Sequence, residues 1–113
     1  MSYLHIENLY KNQLLLLFKE CFALEKIHGT SAHVGFGEQG LRCFSGGARQ
    51  GVFEALFEKE KLKEAFTTLG HPAIIVYGEA YGCSQQGMRE TYGDKLKFIV
   101  FDVQIDDTWL NVE

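Results

Sequence analysis

Positive charge is scarce in this sequence: 11 Lys and Arg stand against 15 Asp and Glu, a formal net charge of -4. Domains that hold nucleic acid by bulk electrostatics are usually basic. That mode is excluded, and any nucleic-acid contact must be local. Only three cysteines occur, Cys21, Cys43 and Cys83, and no two of them form a C-x-x-C pair. The spacing excludes a zinc ribbon and a disulfide framework, and it fits reduced thiols in a cytoplasmic setting. Long hydrophobic runs are missing too. Leu14 to Phe18 lies between Lys11 and Lys19 and falls far short of the roughly 20 apolar residues that span a bilayer. No signal peptide or membrane anchor is expected, and no repeat, linker or low-complexity tract is seen.

Apolar and aromatic residues are plentiful. A hydrophobic fraction of 46% with nine Phe and five Tyr rules out a disordered tail and suits a globular mixture of helix and strand. At 113 residues the chain matches one domain, residues 1–113, able to bury roughly two thirds of its unfolded surface.

Ile6, Leu9, Tyr10, Leu14, Leu17 and Phe18 recur at three- and four-residue steps, which predicts an amphipathic helix from Ile6 to Phe18 lying over a sheet. Cys21 to Lys26 is read as a short strand with Lys26 at its end, Thr30 to Phe36 as a second, and Leu41 to Phe44 as a third broken by Gly46-Gly47. Two helical stripes follow, Val52, Phe53, Leu56 and Phe57, then Leu62, Ala65, Phe66 and Leu69 up to Gly70. The charged stretch Glu58 to Lys61 between them is solvated surface. After His71-Pro72, Ala73 to Tyr77 is a continuous apolar run of the kind that forms a buried strand, with Gly78 and Gly82 flanking Glu79 at its end. Cys83 to Lys95 reads as a loop and Phe98 to Ile105 as another buried strand.

Lysine attacks a phosphorus centre only as the neutral amine, so a nucleophilic lysine needs desolvation or a nearby cation. Lys26 follows Phe22 and Leu24 and precedes a glycine turn, a placement that combines partial burial with access for a ligand. If the strand continues, His28 shares its face with Lys26 and can contact a polyphosphate. Gly29 allows close backbone approach to a ligand. A K-x-x-G pattern alone is weak, and a strand-end lysine on its own is most often a solvated charge.

Read together, Glu25-Lys26-Ile27-His28-Gly29-Thr30 resembles the nucleotidyltransferase signature of the covalent polynucleotide ligases. The histidine before the glycine is similar to RNA ligases that seal nicked double-stranded RNA, whereas DNA ligases and capping enzymes usually carry aspartate there. Ile75 to Gly82 looks like the second block of that family, a strand ending in glycine-glutamate, and Phe98 to Val103 looks like the third. The resemblance spans Phe22 to Val103. It implies an α+β fold of antiparallel sheets with flanking helices, an incomplete nucleotidyltransferase domain of the ATP-grasp-like adenylation type.

By the same resemblance Lys26 and His28 are catalytic, Lys26 being the adenylylated nucleophile. Glu25 contacts the adenine edge, Ile27 and Gly29 complete that segment's share of the nucleotide site, Glu79 takes the ribose hydroxyls and Phe101 stacks on the purine. A gapless match puts Gly46 where such ligases commonly carry an arginine, and Arg49 is the expected substitute with Arg42 behind it. The Ser45-Gly46-Gly47 turn offers backbone N–H groups to an anion, though a plain turn is the commoner use. ATP and Mg²⁺ are the implied cofactors and nicked or broken RNA the implied partner. The family's later glutamate-glycine block and its paired lysines are not legible in Asp102 to Glu113, so the expectation is a domain shortened before its last motifs, with weak or no sealing on its own. The alternatives are a non-catalytic nucleotide- or RNA-binding remnant, a DNA ligase, and a small protein-interaction domain.

Overall fold

The computed structural model describes residues 3–48, 50–82, 93 and 95–111. Arg49 and the expected loop from Cys83, apart from Gly93 and Lys95, lie outside the described residues.

Alternation sets the first strand. In β1 (Thr30–Gly37) Ala32 and Val34 are buried while Ser31 and His33 point the other way. A two-residue turn, Glu38-Gln39, leads into β2 (Gly40–Ser45), and Gly40 re-enters at a φ of 91°, where glycine carries no steric penalty. Helices α1 (Gln50–Glu54) and α2 (Lys59–Leu69) follow, then β3 (Ile74–Tyr81), β4 (Lys97–Ile105) and the two-residue β5 (Thr108–Trp109). All neighbours are antiparallel in one five-stranded sheet of order β2-β1-β3-β4-β5. The fold is therefore α+β, with a single antiparallel sheet among the described residues where several were expected.

One face of that sheet is the core. Ala32, Val34, Ile74 and Ala80 meet Phe53 of α1 and Phe66 of α2, and Phe98, Val103 and Ile105 of β4 pack against the same cluster. Phe66 stacks on Phe36 with ring centroids 5.5 Å apart, and Phe53 meets Phe98 edge to face at 5.4 Å. The expected helical stripes are half used: Phe53 and Phe66 are buried, but Val52 and Leu56 stay exposed. Gly70 ends α2 in the left-handed conformation at φ 73°, as its place in the sequence implies. Glu58 to Lys61 is exposed.

Three expectations need correction. Ile6 to Phe18 forms no amphipathic helix; it contains one 3-10 turn, Leu14–Leu17, whose side chains are exposed. Helical spacing becomes a stable helix chiefly when its apolar stripe packs against something, and nothing among the described residues covers this one. Cys21 to Lys26 is irregular and joins neither edge of the sheet, β2 or β5, so no ladder holds it extended. The third concerns Gly78 and Glu79, which do not end a strand but lie inside β3. A Cβ on Gly78 would fall 2.6 Å from the Phe98 ring and 2.2 Å from the Ile99 carbonyl oxygen, so this glycine admits a neighbour rather than breaking the strand.

β4 is less buried than its apolar sequence implies, since its Ile99, Val100 and Phe101 are 40 to 47% exposed. Between β3 and β4 the ladder slips by one residue. Tyr77 faces Asp102 and Gly78 faces Val100, which leaves Phe101 without a partner in a bulge.

Candidate active site

The face of the sheet opposite the helices holds a cavity of about 830 Å³. Its floor is β3 and β4, through Glu79 and the run Ile99 to Val103, with Ser31 of β1 beside them. Its walls come from irregular chain, Tyr3 to Ile6 and Leu24 to Ile27. Phe101, the residue left over in the bulge, borders the cavity with the rest of that run.

Five of the eight site residues read from the sequence meet in this cavity: Glu25, Lys26, Ile27, Glu79 and Phe101. They come from the segment before β1, from β3 and from β4. His28 and Gly29 follow directly but are not part of the lining, and Arg49 lies outside the described residues. Arg42, the second choice for a phosphate contact, is exposed on β2 and does not line the cavity.

Glycine 29 has a use different from the one expected. A Cβ there would sit 2.2 Å from the Ala80 carbonyl oxygen, so the close approach it permits is to β3 and not to a ligand. Its N–H donates to Glu79 Oε1 at 3.2 Å. Glu79 thereby ties the Lys26 segment to the sheet while keeping its place in the cavity wall.

The desolvation expected around Lys26 is not present. The lysine is exposed, and Phe22 and Leu24 are each 62% exposed, because the strand that was to bury them does not form. His28 therefore shares no strand face with Lys26. The Ser45-Gly46-Gly47 turn is partly committed internally: Gly46 N–H donates to the Ser31 carbonyl at 3.0 Å, and Ser45 Oγ accepts from the Ala48 N–H at 3.2 Å.

Charge in the cavity is unevenly distributed. Glu25, Glu79 and Asp102 supply three carboxylates, whereas Lys26 is the sole Lys or Arg among the described lining residues. No group of three or more His, Cys, Asp or Glu among the described residues is placed to hold a metal ion. On the aromatic side, Phe101 is 40% exposed at the cavity.

Tyr3 was not singled out from the sequence, yet it is the most connected side chain at the site. Its hydroxyl donates to Asp102 Oδ2 at 2.6 Å, and its ring touches Tyr77, Phe101 and Trp109. Burial first, then the Asp102 hydrogen bond, push its pKa up to about 12. No local sequence pattern announces a contact between residues 99 positions apart.

Among the described residues no helix is long and apolar enough to cross a membrane. No family model, curated protein or solved structure matches the chain, so its likeness to RNA ligases rests on the residues quoted above.

Proposed function

We propose that the cavity is the nucleotide pocket of an ATP-dependent RNA ligase and that Lys26 accepts the adenylyl group. The observation that carries this reading is the meeting of Glu25, Lys26, Glu79 and Phe101, from three separate stretches of sequence, around one cavity.

In that reading the Lys26 Nζ lone pair attacks the α-phosphorus of ATP. The bond to the bridging oxygen breaks, pyrophosphate leaves, Nζ gives a proton to solvent, and a phosphoramidate to AMP remains. An RNA 5′-phosphate oxygen then displaces Nζ, and a 3′-hydroxyl attacks that 5′-phosphorus to release AMP. Phe101 offers a ring face to the purine and Glu79 a carboxylate to the ribose hydroxyls. Positioning by these groups lowers the barrier by holding the α-phosphorus near the amine.

Incubation with labelled ATP and Mg²⁺, followed by a denaturing gel, tests the chemistry. A covalent label on the wild-type chain that is lost in Lys26→Ala is the expected result. A label that survives Lys26→Ala would sink the assignment of the nucleophile. Sealing compared on nicked RNA, hybrid and DNA duplexes tests the RNA preference drawn from His28.

One observation favours a second reading, a nucleotide-binding remnant without chemistry. Lys26 is exposed and is the single Lys or Arg among the described lining residues, which leaves little positive charge for phosphate oxygens. Thermal stabilisation by nucleotide with no covalent label would select that reading over the ligase.

A further inference from the structure

Residues 3–6 form one wall of the cavity and belong to neither helix nor strand. A segment of that kind has no backbone ladder to hold it and depends on its side chains. Leu4 and Ile6 are 65% and 75% exposed, so they do not anchor it. Tyr3 does.

Its hydroxyl bonds to Asp102 of β4, and its ring lies 5.2 Å from Tyr77 of β3, 5.1 Å from Phe101 of β4 and 5.5 Å from Trp109 of β5. The last two contacts are edge to face, at interplanar angles of 75° and 88°, the arrangement that aromatic quadrupoles favour. Three neighbouring strands thus hold one side chain. Tyr77 beneath it is buried, so the pin sits on the sheet itself.

The contact with Phe101 bears directly on a base. At 5.1 Å the two rings touch and leave no space for a third ring between them. Tyr3 braces one part of Phe101, while Phe101 remains 40% exposed and keeps surface for a purine.

We propose that Tyr3 is a positioning residue that builds the nucleotide slot: it pins residues 3–6 across the sheet at Asp102 and fixes the Phe101 ring on which the base stacks. The inference rests on the ligase reading of the cavity and deepens it. Tyr3 faces away from the Phe53 and Phe66 core, so its loss removes the wall and spares the packing of the helices. A tyrosine hydroxyl is protonated throughout the neutral range, so the donor to Asp102 is always present there.

Trp109 is the only tryptophan of the chain, and Tyr3 lies against it, which gives a readout independent of activity. The full chain is compared with Tyr3→Ala and Tyr3→Phe by acrylamide quenching of Trp109 and by single-turnover labelling of Lys26 over a range of ATP concentrations, where KM denotes the half-saturating ATP concentration and kcat the limiting labelling rate. Tyr3→Ala is expected to raise Trp109 quenching and to raise KM on the order of tenfold with kcat held. Tyr3→Phe keeps the rings and loses the hydrogen bond, so its quenching stays near wild type and its KM falls between the two.

Wild-type quenching and KM in Tyr3→Ala overturn the proposal. So does a parallel fall of kcat and thermal midpoint, the signature of a merely structural residue. If Tyr3→Ala does not fold, Tyr3→Phe and Asp102→Asn decide, and a wild-type KM in both overturns it. Absence of any label on the wild-type chain counts against the ligase chemistry alone. Trp109 quenching then judges the pin, and an unchanged value in Tyr3→Ala refutes it.

Discussion

At the scale of single residues, Gly29 and Tyr3 carry most of the site's construction. A methyl group at Gly29 collides with the Ala80 carbonyl, and overpacking of that kind costs about 1 to 3 kcal/mol. Gly29→Ala is therefore expected to lower the urea midpoint and, because the segment that carries Lys26 is tied down beside it, to weaken labelling of Lys26 as well. An unchanged midpoint would show that the segment moves freely enough to absorb the methyl. Tyr3 gives a pH signature. Its pKa of about 12 in the fold exceeds the ordinary value of 10.0, so the folded state holds this proton more tightly than the unfolded chain. The associated stability is complete below pH 10.0 and is lost as pH rises through about 12. The stability gap between wild type and Tyr3→Phe should be constant at neutral pH and should shrink over that alkaline window. Parallel urea curves across it would contradict the raised pKa that burial and the Asp102 hydrogen bond give this hydroxyl. Lys26, Glu79 and Phe101 could be singled out in the sequence because each sits in a short contiguous block, and the fold brings them to one cavity. Tyr3 could not be, since its partners are distant in the chain and only the fold brings them near.

At the scale of elements, the strands were more legible than the helices. β1 and β2 follow from alternation and glycine turns, and β3 from its run of branched apolar residues. The apolar stripe from Ile6 to Phe18 has helical spacing but no surface to pack on, and a period says nothing of whether a partner exists. β4 was read as buried because apolar composition does not distinguish a core face from one that lines an open cavity; its exposed stretch Ile99 to Phe101 is part of the cavity floor. Phe101 in particular stands outside the core cluster. Phe101→Ala is expected to weaken adenosine binding by about 1 to 3 kcal/mol, roughly 5- to 150-fold, with little change in the thermal midpoint. A large drop in the midpoint with affinity retained would make Phe101 a packing residue instead.

At the scale of the whole molecule, the proposed nucleotide pocket makes a prediction about charge. The chain carries a net -4, and the described cavity lining sets three carboxylates against Lys26. Like charges in a partly enclosed site repel more strongly than in water. Without divalent metal, adenosine should stabilise the protein at least as much as ATP at equal concentration, and adding Mg²⁺ should reverse that order. Tighter binding of metal-free ATP than of adenosine would refute this account of the site. The overall acidity was plain in the composition, but its concentration at the cavity depends on Asp102 and Glu25 approaching from elements far apart in sequence.

The slipped pairing at Phe101 has a consequence for the molecule as a whole. Phe98 is an even-numbered position and Val103 and Ile105 are odd, yet all three pack on the same core. A regular strand cannot do this; one surplus residue changes the parity of everything after it. Phe101 is that surplus, so the count that keeps β4 in phase with the helices is the same count that sets a ring into the cavity. Excising Phe101 would therefore leave both halves of the strand correctly phased on the core, and would part the fold from its pocket more cleanly than replacing the ring.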